Sequence, residues 1–491
     1  MGEERIRSTE VRVFIFLFLF LNFLYLVTSS GRVRTMDEVI VDYQAESLVT
    51  RGSTAVPQAV AAGMYYGKLD RTGSPQAPYG AGQAVLVAPW HLLGRLARMV
   101  TPGIPAQAQD IALDAVVTGS SATFAALAGA MVFLLLAQMG TNAGAALTAS
   151  LLVALSTPLF AYSSWFFSEP LAAAILLAAA WALFGITAET PISLPRASLA
   201  GLLLGLALWV RPAHALALPV FLLAILVRER GRGIRAAAAV AAVAGVFGAA
   251  YLLRNQALFG SFFDFGYPAA AEGGKRLNSF ETPLSTGLAG FLFSPGKSLF
   301  LFALPLLLAM PGVVRLARRN RGLAVIAGLT PVVYVLFYAR YTQWEGGYCY
   351  GPRYLLPVIP LLALGLGPML EEGGGSVRRL AVFLGAAGFL VQVIGMSTSF
   401  LEDQAGGAYY DEHWNYRVSY DPLVSQSLRL LHYLSSGTPA PIGRGFDRWF
   451  VFLSKAGVAR GTIVAGLLFE ICCAVFFALR LRSALRALGR T

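Results

Sequence analysis

Charge is scarce in this chain. Of its 491 residues only 13% are Asp, Glu, Lys or Arg, about half the share in soluble domains. That shortage, beside so much apolar sequence, excludes an ordinary cytosolic enzyme and a disordered protein. Cysteine is scarcer still. Cys349, Cys472 and Cys473 offer no even-numbered framework and no C-x-x-C spacing, which excludes a disulfide scaffold and gives no reason to expect a zinc site. The four histidines, His91, His214, His413 and His432, have no metal-ligand spacing. No Gly-x-Ser-x-Gly occurs. Gly296-Lys297-Ser298 ends like a phosphate-binding loop, but Phe291 stands where its first glycine must be. Acids are fewer than bases, and the net charge is +12. In a soluble chain that would suggest a nucleic-acid partner; here it fits loops held on the cytoplasmic side of a membrane, so no nucleic acid is expected.

What the chain has is apolar length. It is 56% hydrophobic, with a mean hydropathy of +0.63, and stretches of roughly the ~20 residues that span a bilayer recur along it. The fold expected is all-α: a polytopic integral membrane protein with twelve spans near 12–29, 113–137, 144–162, 170–187, 198–211, 212–228, 236–253, 298–314, 322–340, 354–370, 380–400 and 459–480. Arg211-Pro212 divides the fifth from the sixth, and both halves are short. Basic clusters such as Arg228–Arg235 and Arg315–Arg321 alternate with acid-rich segments, which places both termini in the cytoplasm. The first apolar run also reads as a signal peptide ending near Thr28-Ser29-Ser30; a retained helix suits the even number of spans better.

This map leaves large extracytoplasmic segments at 30–112, 254–297 and 401–458, with a shorter one at 341–353. In the first, an amphipathic helix is expected over Asp37–Thr50, with Val39, Tyr43, Glu46 and Ser47 on one face and Gly52 as its stop. A second, Gln83–Arg98, is expected to lie along the membrane surface, interrupted at Pro89. Gly201-x-x-x-Gly205 reads as close helix packing. Glu470 is the one acid deep in a span, a functional candidate or a hydrogen bond to a neighbouring helix. The remaining polar residues gather at the outer face: Asp37-Glu38, Lys68 to Arg71, Glu169-Pro170, and the run from Trp344 through Tyr348, Tyr350 and Arg353.

Several strings in their order along the chain resemble a family. "YGAGQAVLVAPWHLLG" (79–94), "FSEPLAAA" (167–174), "GLLLGLALWVRP" (201–212), "FLFSPGKSLFLF" (291–302) and "GYCYGPRYLLPVIPLLAL" (347–364), with Asp37-Glu38 after the first helix, resemble the C-type (GT-C) membrane glycosyltransferases. These use a polyprenyl-phosphate sugar and include protein O-mannosyltransferases and lipid A aminoarabinose transferases. The likeness covers roughly residues 10–400, so residues 1–400 are expected to form the catalytic membrane module. Residues 401–491 add an outer loop and the last helix.

The resemblance implies an inverting transfer of a sugar from a polyprenyl-phosphate carrier to an acceptor hydroxyl of a lipid, polysaccharide or protein, at the outer face of the cytoplasmic membrane. No cofactor and no divalent metal is implied. Asp37 would take the hydroxyl proton, with Glu38 beside it and Glu169 orienting the acceptor or a basic residue. Arg353 would hold the donor phosphate, since a guanidinium offers paired donors; Lys68 and Arg71 are second candidates. Trp344, Tyr348 and Tyr350 would stack on sugar or isoprenoid, although aromatics there also suit an interfacial belt. The chain departs from the family at Gln76-Ala77-Pro78, where aminoarabinose enzymes carry a lysine and two prolines. It also lacks the mannosyltransferases' soluble domain, because 254–297 is too short. A membrane transporter or lipid-linked-sugar flippase, and an inactive scaffold of this fold, remain as other readings.

Overall fold

The computed structural model describes residues 2–100, 105–185, 190–267, 279–347, 349–401, 422–436 and 446–488. The chain is an all-α polytopic membrane protein. Seven described helices are long and apolar enough to cross a membrane, and five shorter apolar helices accompany them. The first helix, α1 (Gly2–Thr28), leads into the segment before the next long apolar helix, which holds α2 (Met36–Arg51), the short α3 (Pro57–Ala61), a two-residue antiparallel pair (Lys68–Leu69 with Pro75–Gln76) and α4 (Gly82–Val100).

At the centre stands α5 (Ala106–Gln138), most of whose length is buried. Ala125, Ala126, Ala128, Gly129 and Ala130 let its neighbours approach closely, since between helices in lipid it is packing rather than water exclusion that holds. Around it pack α1, α4, α6 (Ala143–Ser156), the short α7 (Pro158–Tyr162) and α8 (Glu169–Phe184). Beyond α8 lie α9 (Leu194–Val210), α10 (Ala217–Arg228) and α11 (Ile234–Phe259). The expected close packing at Gly201 and Gly205 is present: a methyl at Gly201 would meet the Val240 carbonyl at 2.7 Å, and one at Gly205 the Phe247 ring at 2.6 Å. Those two glycines seat α9 on α11.

Three expectations need correction. Pro89 does not interrupt α4, which runs unbroken for 19 residues. Pro89 and Val85, whose carbonyl loses a helical partner, both lie on the exposed face, where that carbonyl is not trapped in the protein. Leu92, Leu93, Leu96 and Met99 continue the same exposed apolar stripe. The eighth span is in two pieces, Leu299–Phe302 and Leu306–Arg319, because Pro305 opens a new helix. The face expected for α2 is only half right. Val39 and Ser47 are buried, but Tyr43 and Glu46 are half exposed, and Ile40, Val41, Gln44 and Ala45 complete the buried surface. Gly52 does end that helix, in the left-handed conformation at φ +62°.

The opposite ends of the central helices differ chemically. The last carbonyls of α8 accept from arginines: Ala182 from Arg196 Nε at 2.7 Å and Leu183 from Arg228 Nη1 at 2.8 Å. Cations suit a helix C-terminus, where carbonyls lack partners. The first residue of the same helix is an acid, Glu169. That end carries the candidate site.

Candidate functional site

The first turn of α2 delivers Asp37. Thr35 caps the helix: its hydroxyl accepts from the Glu38 amide at 3.2 Å, while Glu38 Oε2 accepts from the Thr35 amide at 2.8 Å and the Arg34 amide at 3.0 Å. Glu38 Oε1 accepts from the Phe166 amide at 2.9 Å. Glu38 is fully buried, and every bond its carboxylate makes is to backbone. It is therefore a strut tying α2 to the segment before Glu169, which corrects its expected place beside the reacting hydroxyl. The Thr35-x-x-Glu38 spacing is the signal that announces this capping box.

Three further elements bring charge to the same place. Glu169 opens α8, with Pro170 in the first turn, where a missing amide hydrogen costs nothing. Arg211 follows α9 at a break in helical geometry, and Pro212 starts a 3-10 turn. Arg353 begins another 3-10 turn, Arg353–Val358, which leads into a buried series of short helical turns through Pro357 and Pro360. Each residue sits at an element's end because proline or a cap stops the helix there.

The geometry is a quartet of two acids and two bases. Arg353 Nη1 lies 2.7 Å from Asp37 Oδ2, and Arg353 Nε donates to Glu169 Oε1 at 2.8 Å. Arg211 Nη1 donates to the same Glu169 oxygen at 3.2 Å. Tyr79 donates its hydroxyl to Asp37 Oδ1 at 2.6 Å. Aromatic faces cover the cations: Arg353 lies 4.1 Å from the Phe167 ring centroid, and Arg211 5.2 Å from that of Tyr354. The side chains of Arg353 and Glu169 are 4% and 2% exposed, whereas that of Asp37 is 33% exposed. Asp37, Tyr79, Gln83, Phe167, Arg211 and Arg353 line a small open cleft.

Burial pushes the Asp37 carboxyl up, but Arg353, the Tyr79 hydroxyl and Arg211 outweigh it and hold it below the usual carboxylate range. Burial, and then the charge of Asp37, holds the Tyr79 phenol well above its usual value. Tyr79 therefore stays a donor and Asp37 an acceptor. Such a cleft can bind an anion through guanidinium and accept a proton at an exposed carboxylate.

The structure brings Asp37, Glu169 and Arg353 together and leaves the other expected residues elsewhere. Lys68 pairs with Asp264 at the surface. The Arg71 guanidinium packs over Gly260, and its amide donates to Leu258 O at 2.9 Å. Trp344 is buried edge-on against Phe291, ring centroids 5.5 Å apart, and over Gly290. Tyr350 is fully buried, donating to Val391 O at 2.7 Å with Phe302 edge-on at 4.8 Å. Trp344 and Tyr350 are core residues, correcting their expected stacking role, because the turn carrying Arg353 is folded inward. Tyr348 lies outside the described residues. Glu470 is on the last helix, which packs on α1 and takes no part in the cleft.

Two residues of the cluster escape sequence reading. Arg211 looks like a divider between short spans, although a lone cation inside an apolar run is itself a signal. Tyr79 carries no signal beyond the string it belongs to.

No protein-family model matches the chain, and no curated protein does. Among solved structures, the chain is similar to ArnT from Cupriavidus metallidurans in two states. With the structure described as bound to undecaprenyl phosphate it shares 15% identity at a TM-score of 0.46, and with the apo state 15% at 0.48. Both matches cover 98% of this chain and 76% of the other.

Proposed function

We propose that this protein is a membrane glycosyltransferase that moves a sugar from a polyprenyl-phosphate carrier to an acceptor hydroxyl, with inversion, at the outer face of the cytoplasmic membrane. One observation carries the reading: Asp37, one-third exposed, and Arg353, buried, meet at 2.7 Å in an open cleft. A carboxylate able to take a proton thus adjoins a cation able to hold a phosphate. The order of sequence strings supports it, and so does the place of the cluster at the ends of α8 and α9 remote from Arg196 and Arg228.

Asp37 accepts the acceptor's proton as that oxygen attacks the anomeric carbon. The new carbon–oxygen bond forms as the bond to the phosphate oxygen breaks. The electron pair leaves with the polyprenyl phosphate, whose growing charge Arg353 and Arg211 stabilise. Glu169 keeps both guanidiniums in place. The proton then passes from Asp37 to solvent through the open side of the cleft. No metal or nucleotide enters this scheme.

The test is release of free polyprenyl phosphate by purified protein offered a panel of polyprenyl-phosphate hexoses and pentoses, with a membrane extract as acceptor. Release by the native chain and none by folded Asp37→Asn is expected. Equal release by both removes Asp37 as the base. No release with any donor favours a transporter or scaffold.

A further inference from the structure

We infer that Asp37 and the donor phosphate compete for the Arg353 guanidinium, and that arrival of the phosphate on Arg353 is what sets the carboxylate free to act as a base. The inference rests on the transferase reading and adds an order of events to it. It begins from the charge balance. Asp37 and Glu169 against Arg211 and Arg353 sum to zero, and each guanidinium already carries a carboxylate. A phosphate reaching this cluster finds no unpaired guanidinium, so it binds by displacing an acid.

The two acids are not equally displaceable. Glu169 Oε1 holds both guanidiniums, at 2.8 and 3.2 Å, and its side chain is 2% exposed. It also opens a 16-residue helix whose N-terminal amides favour a negative charge. Removing it would leave that charge unpaired away from water, which is costly. Asp37 has one guanidinium contact and a side chain 33% exposed. It belongs to α2, between the first two spans, and keeps a second partner, the Tyr79 hydroxyl at 2.6 Å. Asp37 can therefore leave Arg353 for water without leaving the cleft.

The consequence is a coupling between the two substrates. While Arg353 holds Oδ2 of Asp37, that oxygen is engaged and its proton affinity is low. Once the phosphate takes Arg353, Oδ2 faces the open side where an acceptor hydroxyl arrives. An acceptor entering first meets a carboxylate that is a poor base, so the acceptor is activated only beside a bound donor.

Binding of a fluorescent polyprenyl phosphate to the full-length protein in detergent tests this without turnover. Asp37→Asn removes the competing charge and keeps the shape, so it should bind the lipid phosphate about tenfold more tightly than the native chain, a shift of about 1.4 kcal/mol. The gain should vanish when Asp37→Asn is measured in an Arg353→Gln background, since the competition is for that guanidinium. Melting temperatures of all variants confirm folding, and Asp37→Ala repeats the charge removal with a different side chain. Unchanged or weaker binding by both Asp37 variants overturns the inference and leaves the transferase reading intact. A gain that persists without Arg353 also overturns it, showing a long-range charge effect. Failure of the native chain and every folded variant to bind overturns the phosphate reading and this inference together.

Discussion

At the scale of single residues, Arg353 decides what the cluster can do. It reaches Asp37 through Nη1 and Glu169 through Nε, two directions that a planar guanidinium offers and a lysine ammonium does not. Arg353→Lys should therefore keep the charge but lower transfer by about a hundredfold, seen in kcat/KM for polyprenyl phosphate release. Asp37 contributes to stability as well. Its carboxyl is held below its ordinary value, so the stability it contributes is fully present above about pH 4 and is lost as pH falls through its lower folded pKa. Melting the native chain and Asp37→Asn side by side should show a difference that shrinks below about pH 4. A difference independent of pH would mean that the ion pair does not stabilise the fold.

At the scale of elements, the question is how α2, a helix between the first two spans, is aimed at residues from the long apolar helices. Glu38 performs the aiming: one carboxylate accepts the Arg34, Thr35 and Phe166 amides. Glu38→Ala leaves these buried donors unpaired and should cost at least about 2 kcal/mol, read as a lowered melting temperature. It should also lower kcat without weakening lipid phosphate binding, because Arg353 stays in place while Asp37 drifts from it. A second tie joins α2 to α4, where His91 Nε2 meets Asp42 Oδ1 at 2.7 Å. Burial lowers the His91 pKa, but the bond to Asp42 and its charge outweigh this and leave it raised. The stability from this pair is thus present below the ordinary histidine value and is lost as pH rises through the folded one. His91→Leu should abolish that alkaline loss in a melting series between about pH 6 and 9; an unchanged pH dependence would place its origin elsewhere.

At the scale of the whole molecule, the C-terminal part is bound to the loop that presents Asp37. Asp447 Oδ2 lies 2.5 Å from Arg34 Nη1, and both side chains are buried. The Trp449 amide donates to Ser29 O at 3.2 Å, the Asp447 amide to Ser397 O at 3.2 Å, and Arg32 lies 4.6 Å from the Phe452 ring centroid. Asp447→Ala strands a buried guanidinium next to the capping box and should cost about 3–5 kcal/mol. Proteolysis in detergent should then cut the segment 29–35 faster than in the native chain. Equal cutting rates would show that this ion pair does not hold the loop.

The apolar spans, the break at Arg211-Pro212 and the stop at Gly52 are all local properties, set by composition, proline and glycine within a few residues. So the all-α membrane fold and most helix limits could be read from the chain alone. Which charged residues meet could not. Arg34 and Asp447, or Glu169 and Arg353, are remote in sequence, and a pairing across such a separation leaves no mark in the residues between. Lys68 and Arg353 look alike as cations beside aromatics, yet one ends at the surface on Asp264 and the other is buried between two acids. Burial decided the difference. Folding the 344–353 turn inward put Trp344 and Tyr350 into the core and Arg353 against Asp37, and only the packed helices supply the walls that make such a turn inward possible.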